Sequence, residues 1–341
     1  MKSEGISSKF ILKYNENEQR RKKIMEDKIL FLKSPCKAKS YGGNWIYEKF
    51  HIGDDSLAKI GEFWAISAHE NGLSVIENGT FKGKTLKNVY EKHRDLFNHD
   101  ENEKFPILVK INELNGCASV QVHPDNEYCK QHYQDLGKAE FNLYLEAEKG
   151  SKLVRGHTAK TKEEFLKRAK NAEWDSLICR MPLHKGDYVF TPPGIVHGGE
   201  GHILMVEVQQ SSDVTLRIYD YDNKDEFGNP RETHLDEAVN VMSFPHEEVS
   251  LKVRNENKNG NEIIHYIDNQ YFIVTDYIVH NVIDITNHSY SLCLALSGNG
   301  SITLDGEQYP LEMGKAFIIT SKCKRFTLNG DIEVLITEPP R

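Results

Sequence analysis

Short apolar runs separated by turn-forming residues dominate the chain from Leu30 to its C-terminus. Glycine- and asparagine-rich breaks recur about every ten residues, as in YGGNW, ENGTFKG, SGNG, LDG and LNG, and this punctuation is typical of many short strands. Apolar and polar positions alternate in SITLDGEQYPLEMGKAFIITSKCKRFTLNGDIEVLIT, which predicts a separate β-sandwich or barrel near the C-terminus. We therefore expect a mostly β fold.

Three segments with helical spacing interrupt the strand pattern. They are TLKNVYEKHRDLF (85–97), TKEEFLKRAKNAEWDSLI (161–178) and HLDEAVNVM (234–242). Thr161 and Glu164 have the spacing of a capping box at the start of the second segment. The strongly charged residues 1–29 predict an N-terminal extension that forms a surface helix or arm. We expect one domain over residues 30–245, with the helices inserted, and a smaller C-terminal β lobe over residues 246–341.

The octapeptide SVQVHPDN (119–126) places two polar side chains on one face of a short strand. Because side chains alternate along a strand, Gln121 and His123 share one face while Val120 and Val122 face a core. The following Pro-Asp-Asn ends the strand. Two readings are open from this stretch alone: a pair of ligands, or two solvated residues at a barrel rim.

The stretch LHKGDYVFTPPGIVHGGEGHILMVEVQQ (183–210) predicts a turn, a strand, a sharp Pro-Pro-Gly corner and then His197 at the start of the next strand. The spacing G-x5-P-x-G-x2-H resembles the second conserved motif of the cupin superfamily. That resemblance implies double-stranded β-helix (jelly-roll) lobes that usually hold a metal ion. The alternative is a buried histidine that hydrogen-bonds a loop carbonyl.

Glu140 begins a predicted strand in LGKAEFNLYLEAEKGSKL (136–153), opposite an apolar face. Together, Gln121, His123, Glu140 and His197 offer two imidazoles, a carboxylate and an amide oxygen from three strands. Such a set suits Zn²⁺, and the lack of thiolates favours a catalytic ion with a position open for water or substrate. We expect one zinc ion per chain.

Composition narrows the class of protein. The 341 residues are 38% hydrophobic, 28% charged and 10% aromatic, as in a folded protein, and the net charge of −8 argues against nucleic acid as a partner. No apolar run approaches the roughly 20 residues that span a bilayer, and the N-terminus lacks the apolar region of a signal peptide. The six cysteines include no C-x-x-C pair, which favours reduced thiols. We expect a soluble cytoplasmic protein without a membrane partner.

Nine motifs occur together and in a characteristic order. They are YGGNW, IGEFWAISAHENGLSVIENG, FPILVKI, SVQVHPDNEY, GKAEF, GHTAKTKEE, PPGIVHGG, QQSSDVTLRIYDYD and GNPRETHLDEAVN. With them the chain resembles the type I mannose-6-phosphate isomerases, in the short form of Bacillus-like bacteria, from about Leu30 to the C-terminus. The resemblance implies the same four zinc ligands as the strand pattern. It also implies a sugar phosphate as partner, and the chain is expected to be a monomer or a homodimer.

The resemblance further implies roles for five residues. Arg217 corresponds to the family's active-site arginine, with Asp213 four residues before it as proton-transfer group or as a group that orients the arginine. Arg217 and Lys138 would stabilise negative charge during the reaction. Lys110 and Ser119 would lie near the substrate phosphate, although a lone lysine in a β protein is more often at the surface.

Three positions depart from the family pattern. Asn142 replaces a large aromatic residue close to Glu140, Gly198 replaces the usual alanine after His197, and Asn223 replaces a frequent arginine. The leading hypothesis is a zinc-dependent isomerase that links mannose 6-phosphate and fructose 6-phosphate through a cis-enediol. The alternatives are a related aldose isomerase for another or unphosphorylated sugar, or a cupin that binds a sugar phosphate without turnover.

Overall fold

The computed structural model describes residues 27–53, 59–221, 223–225 and 227–340. A charged extension is predicted over residues 1–29, and residues 1–26 of it lie outside the described part of the chain. Strands dominate the described chain and form two curled, antiparallel sheets, so the predicted mostly β fold is confirmed. None of the six cysteines, all of which are described, forms a disulfide.

The N-terminal sheet contains ten strands among the described residues. They are β2 (Cys36–Gly43), β3 (Ile60–Ile66), β5 (Ile107–Cys117), β6 (Val120–Val122), β7 (Glu140–Ala147), β8 (Lys152–His157), β9 (Ile178–Pro182), β10 (Tyr188–Thr191), β11 (His197–Gln210) and β12 (Leu216–Tyr219). The main path runs β10-β7-β11-β5-β3-β2. The short strand β6 pairs with both β11 and β12, which curls the sheet around an interior.

The second sheet is built mainly from the C-terminal part of the chain. Its described strands are β1 (Ile29–Lys33), β4 (Val75–Ile76), β13 (Arg254–Lys258), β14 (Asn261–Asp268), β15 (Ile273–Val279), β16 (Val282–Thr286), β17 (Ser291–Leu304), β18 (Glu307–Glu312), β19 (Ala316–Ile319) and β20 (Arg325–Glu338). Strand β1 belongs here because Ile29 pairs with Ile319. The division of the chain at residue 245 stays a prediction. Two N-terminal strands, β1 and its partner β4, lie in this sheet and so cross that division.

Six helices occur in the described ranges. They are α1 (Trp45–Phe50), α2 (Leu86–Lys92), α3 (Asn126–His132), α4 (Lys162–Lys170), α5 (Trp174–Leu177) and α6 (Leu235–Val241). None of them is long and apolar enough to cross a membrane. The sequence predicted the regions of α2, α4, α5 and α6 but not α1 or α3, which have six and seven residues.

Two predicted helices are interrupted. The segment 85–97 forms α2 and then a 3₁₀ turn, Arg94–Phe97, and the segment 161–178 divides into α4 and α5 where Ala172 takes a φ of +55°. Half of the predicted capping box forms, because Thr161 Oγ1 accepts the N–H of Glu164 at 3.2 Å. The carboxylate of Glu164 instead accepts the N–H of Lys160 at 2.8 Å.

The largest apolar core lies between the two sheets. It includes Phe141 and Val206 from the N-terminal sheet and Val274, Leu292 and Leu335 from the C-terminal sheet. Burying one such side chain stabilises the fold by about 1.5–3 kcal/mol relative to exposing it. This shared core therefore fixes the outer face of the N-terminal sheet, while the opposite face of the same strands lines the barrel interior.

Candidate metal centre and active-site cavity

Strand β6 carries two of the candidate ligands. Its two valines are fully buried, and Gln121 and His123 project to the other side, as period-two alternation predicts. In the sheet, Gln121 lies opposite His197 of β11 on one side and opposite Arg217 of β12 on the other. Pairing of three short stretches that are distant in sequence therefore brings these polar residues to one place.

The Pro-Pro-Gly corner before β11 positions His197. Gly194 has a φ of +90°, a conformation that side-chain-bearing residues rarely adopt. Its N–H donates to the carbonyl of His123 at 2.9 Å, so the corner is tied to the end of β6. Strand β11 then begins at His197. The predicted order of strand, corner and histidine is confirmed.

Glu140 is the first residue of β7 and is almost fully buried. It lies opposite Thr191 of β10 and Gln209 of β11, while Phe141 and Leu143 face the shared core. The carboxylate consequently points to the same interior as the two histidines.

The three side chains converge closely. Ligand atoms of His123, Glu140 and His197 all lie within 4.8 Å of one another. Each histidine has its Nδ1 2.9 Å from a backbone carbonyl, that of Val214 for His123 and that of Ile195 for His197. Donation from Nδ1–H leaves Nε2 with its lone pair, and both Nε2 atoms lie 3.2 Å from the Glu140 carboxylate. This is the tautomer that a metal ion requires.

Burial sets the charge state of the cluster. Burial, with the neighbouring Lys138 ammonium adding to it, lowers the pKa of His123 to about 3, so its imidazole is neutral at pH 7. Burial alone would raise the pKa of Glu140, but Lys138 and the two histidines hold that pKa well below its usual range. A neutral imidazole and an ionised carboxylate are the forms that coordinate metal.

Gln121 lies beside this cluster. Its Nε2 is 3.5 Å from Nε2 of His197, and its Oε1 accepts a hydrogen bond from Ser119 at 3.2 Å. The Lys138 ammonium contacts Glu140 and lies 3.2 Å from Nε2 of His123, so the converging ligand atoms attract a cation. Two imidazoles, a carboxylate and an adjacent amide oxygen are a donor set that fits Zn²⁺.

A cavity of about 260 Å³ opens from the cluster into the barrel interior. Eight of the nine residues predicted for the site line it: Lys110, Ser119, Gln121, Lys138, Glu140, His197, Asp213 and Arg217. The ninth, His123, is buried next to the cavity wall, with its Nε2 3.2 Å from the carboxylate of Glu140. The structure thus brings the whole predicted set to one location, although the roles of its members stay predictions.

Both predicted lysines are buried and paired rather than at the surface. Lys110 Nζ lies 3.2 Å from the carboxylate of Glu207, and Lys138 Nζ lies 4.0 Å from the same oxygen. Burial would lower the pKa of Lys110, but Glu207, Glu62 and Asp213 raise it, so the ammonium stays charged. Glu207 thus holds two cations beside the cluster of candidate ligands.

Arg217 is half-buried and its Nε, fully buried, has no hydrogen-bond partner among the described residues. Burial, reinforced by the nearby Arg231, lowers its pKa. Arg231 is itself held by a two-point ion pair to Asp220. Two guanidinium groups therefore face one end of the cavity. Asp213 is exposed at this end and accepts a hydrogen bond from Asn71 at 2.8 Å.

The sequence reasoning missed several polar residues of the cavity wall: Lys39, Tyr41, Glu62, Asn112, Glu207 and Arg231. Glu62 accepts from Trp64 Nε1 at 2.6 Å and from Tyr41 at 3.2 Å, and it pairs with Lys39 at 3.2 Å. The available signal was an isolated acidic residue inside an apolar strand, as in IGEFWAI for Glu62 and LMVEVQQ for Glu207.

The three departures from the family pattern have different positions. Asn142 lines the cavity. Gly198 also lines it, and a Cβ there would lie 2.9 Å from the backbone oxygen of Ser119, which favours glycine. Asn223 donates to the carbonyl of Cys117 at 2.8 Å and lies outside the cavity wall. Of the three, Asn142 is the change that alters the polarity of the interior.

The fold and the site first define a class: a cupin-type β protein whose interior holds a buried histidine–carboxylate cluster suited to a metal ion. Two family models match the chain, the phosphomannose isomerase type I catalytic domain over residues 29–154 and the mannose-6-phosphate isomerase cupin domain over residues 262–339.

Known relatives match along nearly the whole chain. A mannose-6-phosphate isomerase of Streptococcus mutans is 36% identical over 307 residues, covering 90% of this chain and 96% of that protein. A probable mannose-6-phosphate isomerase of Bacillus subtilis is also 36% identical, covering 91% and 99%. The crystal structure of the mannose 6-phosphate isomerase from Bacillus subtilis superposes with a TM-score of 0.88 at 32% identity, covering 91% and 99%. The chain belongs to the type I phosphomannose isomerase family.

Proposed function

We propose that the protein is a zinc-dependent mannose-6-phosphate isomerase that moves a proton between C1 and C2 of the sugar through a cis-enediol intermediate. The supporting observation is the convergence of His123, Glu140 and His197 at a cavity whose walls also carry Lys110 and Arg217. Family membership supports the same reaction. A cavity of about 260 Å³ is close to the smallest that hold small-molecule ligands, which suits a hexose phosphate.

In this proposal Gln121, His123, Glu140 and His197 hold the ion. When bound, Zn²⁺ supplies a Lewis acid that polarises the oxygens of the opened sugar chain. The backbone carbonyls at Val214 and Ile195 keep the two imidazoles in the required tautomer.

Lys138 stabilises the negative charge that develops when the proton leaves carbon, since its ammonium lies within contact of the metal ligands. Glu207 positions this ammonium and that of Lys110. A buried ammonium with fixed partners needs no reorganisation as charge develops.

We assign the phosphate to Arg217 rather than to Lys110, because Lys110 is already paired with Glu207. Nε of the half-buried Arg217 guanidinium has no hydrogen-bond partner among the described residues, and the positively charged Arg231 lies nearby. A bound anion therefore stabilises this guanidinium.

Ser119, which directly precedes β6, contributes a hydroxyl group to the site, and this hydroxyl donates a hydrogen bond to Gln121 Oε1. Asp213, at the exposed end, is proposed either to transfer the proton or to orient Arg217.

The deciding experiment measures fructose 6-phosphate formed from mannose 6-phosphate by the purified protein, before and after chelation and after zinc is restored. We expect turnover that disappears with chelator and returns with zinc. Unphosphorylated mannose is assayed in parallel. Turnover of mannose at equal efficiency would instead support the related aldose isomerase, and zinc binding without any turnover would support the binding protein.

Asp213→Asn and Arg217→Met separate the two proposed roles. If Asp213 transfers the proton, D213N lowers kcat at every pH and leaves KM near the original. If Asp213 orients the arginine, D213N raises KM as R217M does. Zinc content, measured by atomic absorption, is expected to stay at one ion per chain in both variants.

A further inference from the structure

Two asparagine side chains in the cavity wall have amide oxygens without a partner. Asn142 is only 5% exposed, and its Oδ1 is buried without a hydrogen bond among the described residues. Oδ1 of Asn112 is in the same state. Both residues line the cavity that opens from the metal cluster. Buried carbonyl oxygens are nearly always hydrogen-bonded, so two orphaned acceptors in one cavity require an explanation.

The strand register shows where these amides lie. Asn142 follows Glu140 by two residues on β7, so it shares the inner face of that strand. Across the sheet Asn142 lies opposite Glu207 of β11, and Asn112 of β5 lies opposite Met205 of the same strand. The two amides therefore lie at successive levels of the barrel interior, at increasing distance along the strands from Glu140.

The surroundings of the amides are rich in acceptors. Glu62 lies opposite Asn112 in the sheet, and Glu207 lies opposite Asn142. Both carboxylates are already held by lysines. A phosphate dianion, which only accepts hydrogen bonds, is disfavoured beside acceptor oxygens. Sugar hydroxyl groups can donate, and so they suit this part of the wall.

We propose that Asn142 and Asn112 are specificity-determining residues whose side-chain amides hydrogen-bond hydroxyl groups of the opened sugar chain. The proposal rests on the proposed function and adds a direction to it: the hydroxyl-bearing carbons lie along the two amides, and the phosphate lies toward Arg217 and Arg231. A substrate that lacks the contacted hydroxyl leaves a buried amide unpaired and is rejected.

The test uses ligands that bind without reacting. The probe is the sugar alcohol obtained by reducing mannose 6-phosphate at C1, and the series contains its 3-deoxy, 4-deoxy and 5-deoxy counterparts. Dissociation constants are measured by titration calorimetry on the zinc-loaded protein. For the unmodified protein we expect at least one deoxy probe to bind about ten- to a hundredfold more weakly than the full probe.

Asn142→Leu and Asn112→Leu keep the side-chain size and remove the amide. In the variant that lost the relevant contact, the same deoxy probe should bind within about threefold of the full probe, because no partner remains to be lost. Met205→Leu is the matched control, since Met205 lines the same cavity without a polar group, and it should keep the discrimination of the unmodified protein.

Three results would overturn the proposal. One is an unmodified protein that binds all deoxy probes within twofold of the full probe, a result independent of whether the variants fold. Another is that both leucine variants keep full discrimination at every hydroxyl. The third is no binding of any probe. If the unmodified protein still isomerises mannose 6-phosphate, the first two results remove this proposal alone, whereas absent turnover removes the proposed function itself.

Discussion

The interiors of the two sheets are filled in different ways. On the N-terminal sheet, inner positions of β5, β7 and β11 carry polar residues, among them Lys110, Glu140, Asn142 and Glu207. The C-terminal sheet encloses apolar side chains such as Ile29, Val279, Cys293, Phe317, Phe326 and Val334. The same kind of curled antiparallel sheet thus surrounds a reactive cavity in one case and a packed core in the other.

This difference indicates that the C-terminal interior contributes mainly to the stability of the fold, whereas the N-terminal interior holds the candidate reactive groups. Buried charges are tolerated only when they are paired, as Lys110 and Glu207 are. In such pairs the attraction must first offset the cost of removing two charges from water, a cost that an apolar interior does not carry. The C-terminal sheet also shares the large core behind the N-terminal sheet. It can therefore stabilise the N-terminal sheet, whose own interior is occupied by polar candidate ligand groups.

The largest expected effect is on activity and falls in the N-terminal interior. His123→Ala should reduce isomerase activity by about a thousandfold or more and abolish zinc binding, because it removes a ligand at the cluster. Its melting temperature without metal should change far less than its activity. His280→Ala, at an exposed position in the turn between β15 and β16, is the control and should keep zinc and activity. A fully active, zinc-free H123A protein would remove the metal assignment.

The next effect is on stability and falls in the C-terminal interior. Phe317→Ala leaves a cavity in a fully buried position and should lower the free energy of unfolding by about 3–5 kcal/mol. Urea denaturation measures this change. The activity of the protein that remains folded should match the unmodified protein, since Phe317 lies outside the catalytic cavity. A loss of turnover per folded molecule would break the contrast between the two interiors.

The acid stability of the N-terminal interior provides a third test. Burial alone would raise the pKa of Glu62, but Lys110 and Lys39 lower it to about 2, against about 4.5 in the unfolded chain. The resulting stabilisation, of the order of 3 kcal/mol, is fully present above pH 4.5 and is lost as the pH falls toward 2.

Unfolding free energies measured between pH 7 and pH 2 check this expectation. Glu62→Gln should be less stable than the unmodified protein at pH 7, and the difference should shrink as the pH falls. Glu307→Gln, at an exposed position in the C-terminal sheet, is the control and should change little. Parallel curves for E62Q and the unmodified protein over the acid range would contradict the ion-pair description.

The smallest effect concerns the helical insertion of the N-terminal domain. Thr161→Ala removes the side-chain acceptor at the start of α4 and should lower the free energy of unfolding by about 1 kcal/mol. Thr161→Ser keeps the acceptor and should be close to neutral. Isomerase activity should stay unchanged in both variants, and a large loss would show that the insertion supports the cavity more directly.

Much of the metal cluster is predictable because each part has a local signature. The alternation in SVQVHPDN places Gln121 and His123 on one face, and the Pro-Pro-Gly corner places His197 at a strand start. Glu140 at the start of a predicted strand completes the set, and the resemblance to a known family adds Arg217. Local rules do not reveal which strands are neighbours, so convergence of the ligands to within 4.8 Å is a property of the folded sheet alone.

The missed residues illustrate the same limit. Glu62 and Glu207 are single carboxylates in apolar strands, and nothing in their immediate sequence says which lysine they face. Their partners come from other strands through pairings such as that of Glu207 with Lys110. The breaks in the predicted helices at His93 and Ala172 are likewise backbone events that helical spacing does not reveal.

The sequence by itself determined the strand-rich texture, the faces of individual strands and the chemical types of the ligands, because these depend on local periodicity and side-chain chemistry. Only the tertiary structure decided that β1 joins the C-terminal sheet, that Lys110 and Lys138 share Glu207, and that Asn142 and Asn112 face one cavity. Those facts depend on which distant strands pair and in what register, and pairing is chosen by the packing of the whole chain.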